Sequence, residues 1–310
     1  MYFDLGMINR RALEDPAGFA RECENAYDQK VLSAVEAIVQ RSSSSRVVFL
    51  SGPSGSGKTT TAKKICAALL QSGVSAGTVS MDNYFKTINP DTAPRTEDGE
   101  IDHESPYCLD IELLLEHLMR LERGEEVIKP YFDFTTRSRD MAKAVPIKAP
   151  PGGILIFEGI HALNDILTSG NPDSLKLYIS THTGVEAGGV AFRRSWFRLL
   201  RRVVRDELFR GADASVTLGM WPNVRRGERL YIAPFRHKAD VAIDSSMGYE
   251  IPVLKQFALR ALRDVPEDRD PSGELFELLP VLREFTQIAP ETVPPESILR
   301  EFIGGGIYDY

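Results

Sequence analysis

The stretch that most constrains this chain is Arg46–Thr61, RVVFLSGPSGSGKTTT. The apolar run Val47-Val48-Phe49-Leu50 reads as a buried parallel strand. It breaks into Gly52-Pro53-Ser54-Gly55-Ser56-Gly57-Lys58-Thr59, and a helical pattern, Thr60–Gln71, begins at once. That is G-x-x-x-x-G-K-[ST] in the strand–loop–helix setting that gives the motif meaning. Its glycines let successive backbone N–H groups close around phosphate oxygens, and the next helix aims its positive end at the same place. The expected nucleotide-binding set is Gly52, Ser54, Gly55, Ser56, Gly57, Lys58, Thr59 and Thr60. Lys58 would reach the β- and γ-phosphates, and Thr59 would present its hydroxyl to Mg²⁺. The loop establishes binding of a nucleoside triphosphate and leaves the fate of the γ-phosphate open.

Further apolar runs fit strands at Gly77–Met81, Ile154–Phe157, Leu175–Ser180 and Ala239–Asp244. Helical patterns alternate with them: Asp15-Pro16 to about Arg41, Leu109–Arg123, Arg193–Arg210, Val216–Arg229, Tyr249–Arg263 and Glu274–Gln287. This alternation predicts an α/β fold, a parallel sheet covered by helices on both faces. Val127–Pro130 and Val145–Ile147 would be arms of a small β excursion around Tyr131–Met141. Residues 1–15 carry no signal, and the Gly-rich stretch between Ser180 and Arg193 reads as a mobile segment. The organisation expected is an N-terminal helical extension (1–45), a P-loop domain (46–263) and a C-terminal helical appendage with a flexible tail (264–310). The helix at Leu275–Phe285 could pack on the core or on a partner subunit in a homo-oligomer.

Composition narrows the partners. A net charge of −7 over 310 residues argues against a general nucleic-acid or anionic-membrane binder. Cys23, Cys66 and Cys108 are scattered, with neither metal-ligand spacing nor a disulfide framework, which fits a reducing cytoplasm. No segment approaches the ~18 apolar residues of a membrane span.

In open parallel sheets, ligands bind beyond the carboxyl ends of the strands. There the sequence places Asp82 and Glu158 beside the phosphate loop. Asp82 could orient an acceptor hydroxyl and take its proton, or it could be only a turn residue or helix cap. Glu158 could organise Mg²⁺ or water, or be merely a capping acid before Gly159. Arg193–Arg210 holds seven arginines in eighteen residues. At about 100° per residue, Arg194, Arg198, Arg201 and Arg205 share one face, opposite Trp196, Leu199, Leu200 and Val203. A solvated basic face, an arginine lid over triphosphate and a nucleic-acid helix are the three readings, the lid best fitting a chain with a phosphate loop.

The order of motifs resembles the uridine kinase and phosphoribulokinase family of P-loop kinases. The matching residues run from Gly52 through Met81-Asp82-Asn83-Tyr84-Phe85, Ile101-Asp102-His103, Pro130–Arg139, Phe157-Glu158-Gly159-Ile160, Arg198–Gly211 and Ile232–Asp240. The resemblance covers about Arg46 to Asp244. It implies a kinase using ATP or GTP with Mg²⁺ on a small-molecule nucleoside, uridine or cytidine before others. Asp82 would be the base and Lys58, Arg201 and Arg205 its catalytic partners, with Arg210 on the nucleotide. Asp82, Phe85, Asp102, Phe132, Arg137 and Arg198 would face the substrate, Asp102 holding ribose hydroxyls; Thr59 and Glu158 would serve the metal. Asp102 could instead be a loop acid and Phe132 simple core. Uridine kinases carry a tyrosine and a histidine where this chain has Phe132, which cannot hydrogen-bond, and Arg137, which only donates. Other hydroxyl acceptors (a ribulose phosphate, pantothenate, another nucleoside) and a nucleotide-sensing regulatory protein are the alternatives.

Overall fold

The computed structural model describes residues 2–187 and 190–309. In chain order β1 (Tyr2–Asp4) leads into α1 (Leu5–Glu14) and α2 (Pro16–Arg41), then β2 (Val47–Ser51), α3 (Lys58–Gln71) and β3 (Ala76–Ser80). Next come α4 (Ile111–Glu122), β4 (Glu126–Lys129), β5 (Phe132–Asp133), β6 (Ser138–Arg139), β7 (Val145–Lys148) and β8 (Ile154–Glu158). The short α5 (Asp165–Thr168), β9 (Leu175–Ser180), β10 (Gly184–Ala187), β11 (Val190–Phe192), α6 (Arg194–Phe209) and α7 (Ala214–Gly227) come after them. β12 (Val241–Asp244), α8 (Glu250–Ala261), α9 (Glu274–Arg283) and the single turn α10 (Arg300–Ile303) close the chain.

All five strands expected from the sequence join one parallel sheet in the order β12-β9-β2-β8-β3. Alternation along each strand sends side chains to opposite faces. Val48, Leu50, Ile154, Ile156, Leu177 and Ile179 join the core under α2, α3, α6 and α8. Val47, Phe49, Leu155, Phe157 and Tyr178 join a second core under α4. Burial on both faces explains why these strands read as continuous apolar runs. The central β2 lies between β8 and β9, so the loop after it opens where the connections diverge to either side. The β excursion takes the form of two antiparallel pairs, β4–β7 and β5–β6.

Two segments differ from expectation, and a third, residues 2–14, carries no signal in the sequence. Residues 2–14 are ordered: Asp4 caps α1 by accepting from the Met7 N–H at 2.6 Å, and β1 pairs in parallel with β10. The stretch expected to be mobile before the arginine helix supplies β10 and β11, pinned by Phe192, which is buried edge-on against Trp196, Phe197 and Phe285. Residues 188 and 189 of that stretch lie outside the described residues. The expected flexible tail is packed, with Ile298, Leu299 and Phe302 fully buried. The Leu275–Phe285 helix turns Leu275, Leu278 and Leu282 into the common core. No described helix is long and apolar enough to cross a membrane.

Candidate active site

The loop after β2 is shaped by close approaches that exclude side chains. A Cβ on Gly52 would lie 2.1 Å from the Ile179 carbonyl oxygen. Gly55 and Gly57 have φ of +76° and +85°, a region L-residues rarely adopt. Gly57 is the N-cap of α3 and lacks a side chain to satisfy the first N–H groups, so α3 begins at Lys58 with donors facing the loop. Lys58 is buried beside them, its Nζ 3.3 Å from the Pro53 carbonyl. Burial draws its pKa down, while the charges of Asp82 and Glu158 resist.

Glu158 ends β8 next to β2, and its Oε1 accepts from the Thr59 hydroxyl at 3.2 Å. Burial, reinforced by the Asp82 charge, pushes the Glu158 carboxyl up to about 7 against the pull of Lys58. Its Oε2 is buried without a hydrogen-bond partner. A hydroxyl, a desolvated carboxylate and an orphaned oxygen fit a hard divalent cation that keeps several waters and phosphate ligands. No cluster of three or more His, Cys, Asp or Glu that could hold a metal ion occurs among the described residues. Asp82 stands at the end of β3 in a short 3₁₀ turn, Met81–Tyr84, where its charge acts on Lys58, Glu158 and Arg210.

The arginine helix departs from the expected wheel. Arg201 is completely buried, and all five of its N–H donors are taken. Its Nε and one terminal nitrogen grip Glu250 at 2.9 and 2.6 Å, and the rest bond the Ser245 carbonyl and hydroxyl and the Gly55 carbonyl. It therefore braces the loop from behind, and its assignment to the catalytic arginines is corrected: no donor remains for phosphate. Arg198 is likewise buried, bonded to the Ser54 carbonyl at 3.1 Å and Glu228 at 2.6 Å under Trp221, so its placement against substrate is corrected too. The helix is apolar on more of its surface than the expected stripe, because Phe197 and Val204 are buried with Trp196, Leu199, Leu200 and Val203.

What faces the loop is a different trio. Arg202, which the wheel did not single out, donates to the Ser54 hydroxyl at 3.0 Å. With Arg205 and Arg210 it surrounds Asp206 at 3.3, 2.9 and 3.6 Å. Burial and the neighbouring Arg205 bring the Arg210 guanidinium down to about 10, although Asp206 opposes this. Three guanidinium groups on one carboxylate leave an excess of positive charge that an incoming anion relieves. The i, i+4 pair Arg202–Asp206 was the available sequence signal.

Across the cleft, Phe85, Phe132 and Phe134 form an aromatic cluster with ring centroids 5.1–6.1 Å apart, and Arg210 lies 4.5 Å over the Phe134 ring. Asp102 is buried, with Oδ1 paired to Arg226 and Oδ2 accepting from Tyr231, both at 2.7 Å. Burial raises its carboxyl pKa, but those hydrogen bonds outweigh it and hold the group below the ordinary value. A ligand hydroxyl reaching Asp102 must share it with Arg226 and Tyr231, neither of which sequence reasoning named. Arg137 sits at the tip of the β5–β6 hairpin with φ of +54°, 3.8 Å from the Met220 sulfur; burial, and after it the Arg137 charge, lowers the His103 pKa.

A phosphate loop at the end of a central parallel strand, acids at the ends of the next two strands on one side, β8 and β3, and an arginine helix define a P-loop kinase. The Phosphoribulokinase / Uridine kinase family model matches residues 47–251. A uridine kinase of Brevibacillus brevis is 30% identical over 207 residues, 66% of this chain and 86% of its own. One from Oceanobacillus iheyensis is 29% identical over 64% of this chain and 85% of its own. A crystal structure from Silicibacter sp. TM1040, described as a fructose transport system kinase, superposes with a TM-score of 0.51 at 20% identity, over 68% of this chain and 98% of that one. At that identity the likeness is one of fold. The chain belongs to the phosphoribulokinase / uridine kinase family.

Proposed function

We propose that this kinase moves the γ-phosphoryl group of ATP or GTP, with Mg²⁺, to the 5′-hydroxyl of a nucleoside, uridine or cytidine first. The observation that carries the reading is that Lys58, Glu158 and Asp82 lie within reach of one another's charge, with Arg205 acting on Lys58, Arg210 felt by Asp82, and Arg202 bonded to Ser54 of the loop. Asp82 holds the acceptor hydroxyl and accepts its proton as the phosphorus–oxygen bond forms. Lys58 and the arginine trio bind the oxygens on which charge accumulates, in a site already organised for them. Thr59 and Glu158 would hold Mg²⁺, which supplies charge neutralisation between the phosphates. The Phe85–Phe132–Phe134 wall offers an apolar face for a planar base, and Asp102 with Tyr231 offers polar contacts for a sugar. The uridine kinase relatives support the nucleoside. The three unbridged cysteines support a cytoplasmic enzyme.

A second reading, a phosphorylated polyol as acceptor, is favoured by Arg226 and Arg137, two cations at the acceptor end. A panel of nucleosides and sugar phosphates with labelled ATP decides between them by which compound acquires phosphate. Asp82→Asn is expected to lower kcat by roughly 10²–10⁴-fold with nucleotide binding intact. Near-parental turnover in that variant removes Asp82 from the mechanism.

A further inference from the structure

The chain beyond the family match returns to the phosphate loop. Thr60 is the third residue of α3, so its N–H is one of the donors a helix start leaves open to phosphate. Here a carboxylate of the same chain meets it: Glu301 Oε2 lies 2.6 Å from the Thr60 hydroxyl and 3.4 Å from its backbone nitrogen. Thr60 is completely buried. The turn α10 that carries Glu301 is seated against the rest of the nucleotide site. A Cβ on Gly57 would lie 3.5 Å from Ile298 Cδ1, and the Lys64 ammonium donates to the Glu296 carbonyl at 3.2 Å. Phe302 lies under the Arg201 guanidinium that holds the Gly55 carbonyl, 5.4 Å from ring centroid to charge. Gly304, at φ of +78°, approaches Phe209 at the end of the arginine helix so closely that a Cβ would sit 3.0 Å from its ring.

We propose that Glu301 occupies the place of a nucleotide phosphate, and that nucleotide binding must displace the α10 turn. The carboxylate is an anion on donors built for anions, and a polyphosphate brought beside it would be repelled at short range. The occupied state therefore lowers apparent nucleotide affinity by the fraction of molecules in which the turn is docked. Because the same turn touches the loop and the arginine helix, its release also loosens the contact at Phe209. The inference rests on the reading of Gly52–Thr60 as a nucleotide site.

The test uses the full chain with Glu301→Gln, which keeps size and removes charge, and Glu296→Gln as a control whose side chain is not bonded to α3. Glu301→Gln should bind ADP about tenfold more tightly than the parent, with adenosine unaffected and Glu296→Gln unchanged. In the parent, amide exchange over residues 298–305 should accelerate at saturating ADP. Equal or weaker ADP binding by Glu301→Gln, or unchanged or slower exchange in that segment, overturns the proposal while leaving the nucleotide site standing. Absence of ADP binding by parent and variant alike overturns the nucleotide-site reading itself.

Discussion

His161 lies three residues after Glu158 and is almost wholly buried, edge-on to Tyr231 at 6.4 Å. Burial holds its pKa at about 4, with partial relief from the Glu104 and Tyr231 backbones. The unfolded chain protonates such a ring near 6.5, so between pH 6.5 and 4 the unfolded state binds the extra proton. The native advantage is complete above pH 6.5 and is lost as pH falls toward 4, by roughly 2–3 kcal/mol at pH 4.5. Urea unfolding at pH 7 and 4.5 should show a difference smaller by that amount in His161→Gln than in the parent; an identical difference rules the ring out. At this scale the sequence is legible where chemistry is local. The loop residues Gly55, Gly57, Lys58 and Thr59 announce their roles by spacing alone. Arg201 does not, because what silences it is Glu250, a partner 49 positions away.

Among the elements, α6 shows how far a helical wheel can be trusted. The wheel identifies a helix with one apolar and one basic side, yet adjacent arginines on it have opposite fates: Arg201 faces the fold and Arg202 the loop. Removing Arg201 strands the Glu250 carboxylate in the interior, so Arg201→Met should cost about 3–5 kcal/mol in urea unfolding, much of it recovered in Arg201→Met with Glu250→Leu. Arg205→Met should unfold like the parent and lose roughly 10²–10³-fold in kcat. A parental kcat in the latter variant would take Arg205 out of the charge-stabilising set. The β10–β11 pair escaped the sequence because its strand-favouring residues, Val185, Val190 and Phe192, are interspersed with glycine and alanine in short runs; the partner β1 comes from a distant part of the chain.

On the scale of the whole molecule, one core runs from Ile8 to Leu299, well past the family match at either side. Phe302→Ala should therefore lower the stability of the entire chain by about 3–4 kcal/mol, seen as one earlier transition in tryptophan fluorescence and circular dichroism together. Two separate transitions would show the last segment to be an independent unit. The parallel sheet was readable because β2 and β8 at its centre are apolar runs buried on both faces. The packed tail was not: its buried residues, Ile298, Leu299 and Phe302, stand in a short polar and glycine-rich context, and their partners include Gly57 before α3 and Arg201 on α6. The Arg201 clamp also bears on synthesis. Gly55 emerges from the ribosome long before Glu250 does, and until Ser245 and Glu250 emerge in turn, Arg201 has no counter-charge with which to enter the interior. The phosphate loop is thus made well before the residues that fasten it, which exposes a glycine-rich loop and the uncompensated Arg201 to chaperones or proteases in the interval.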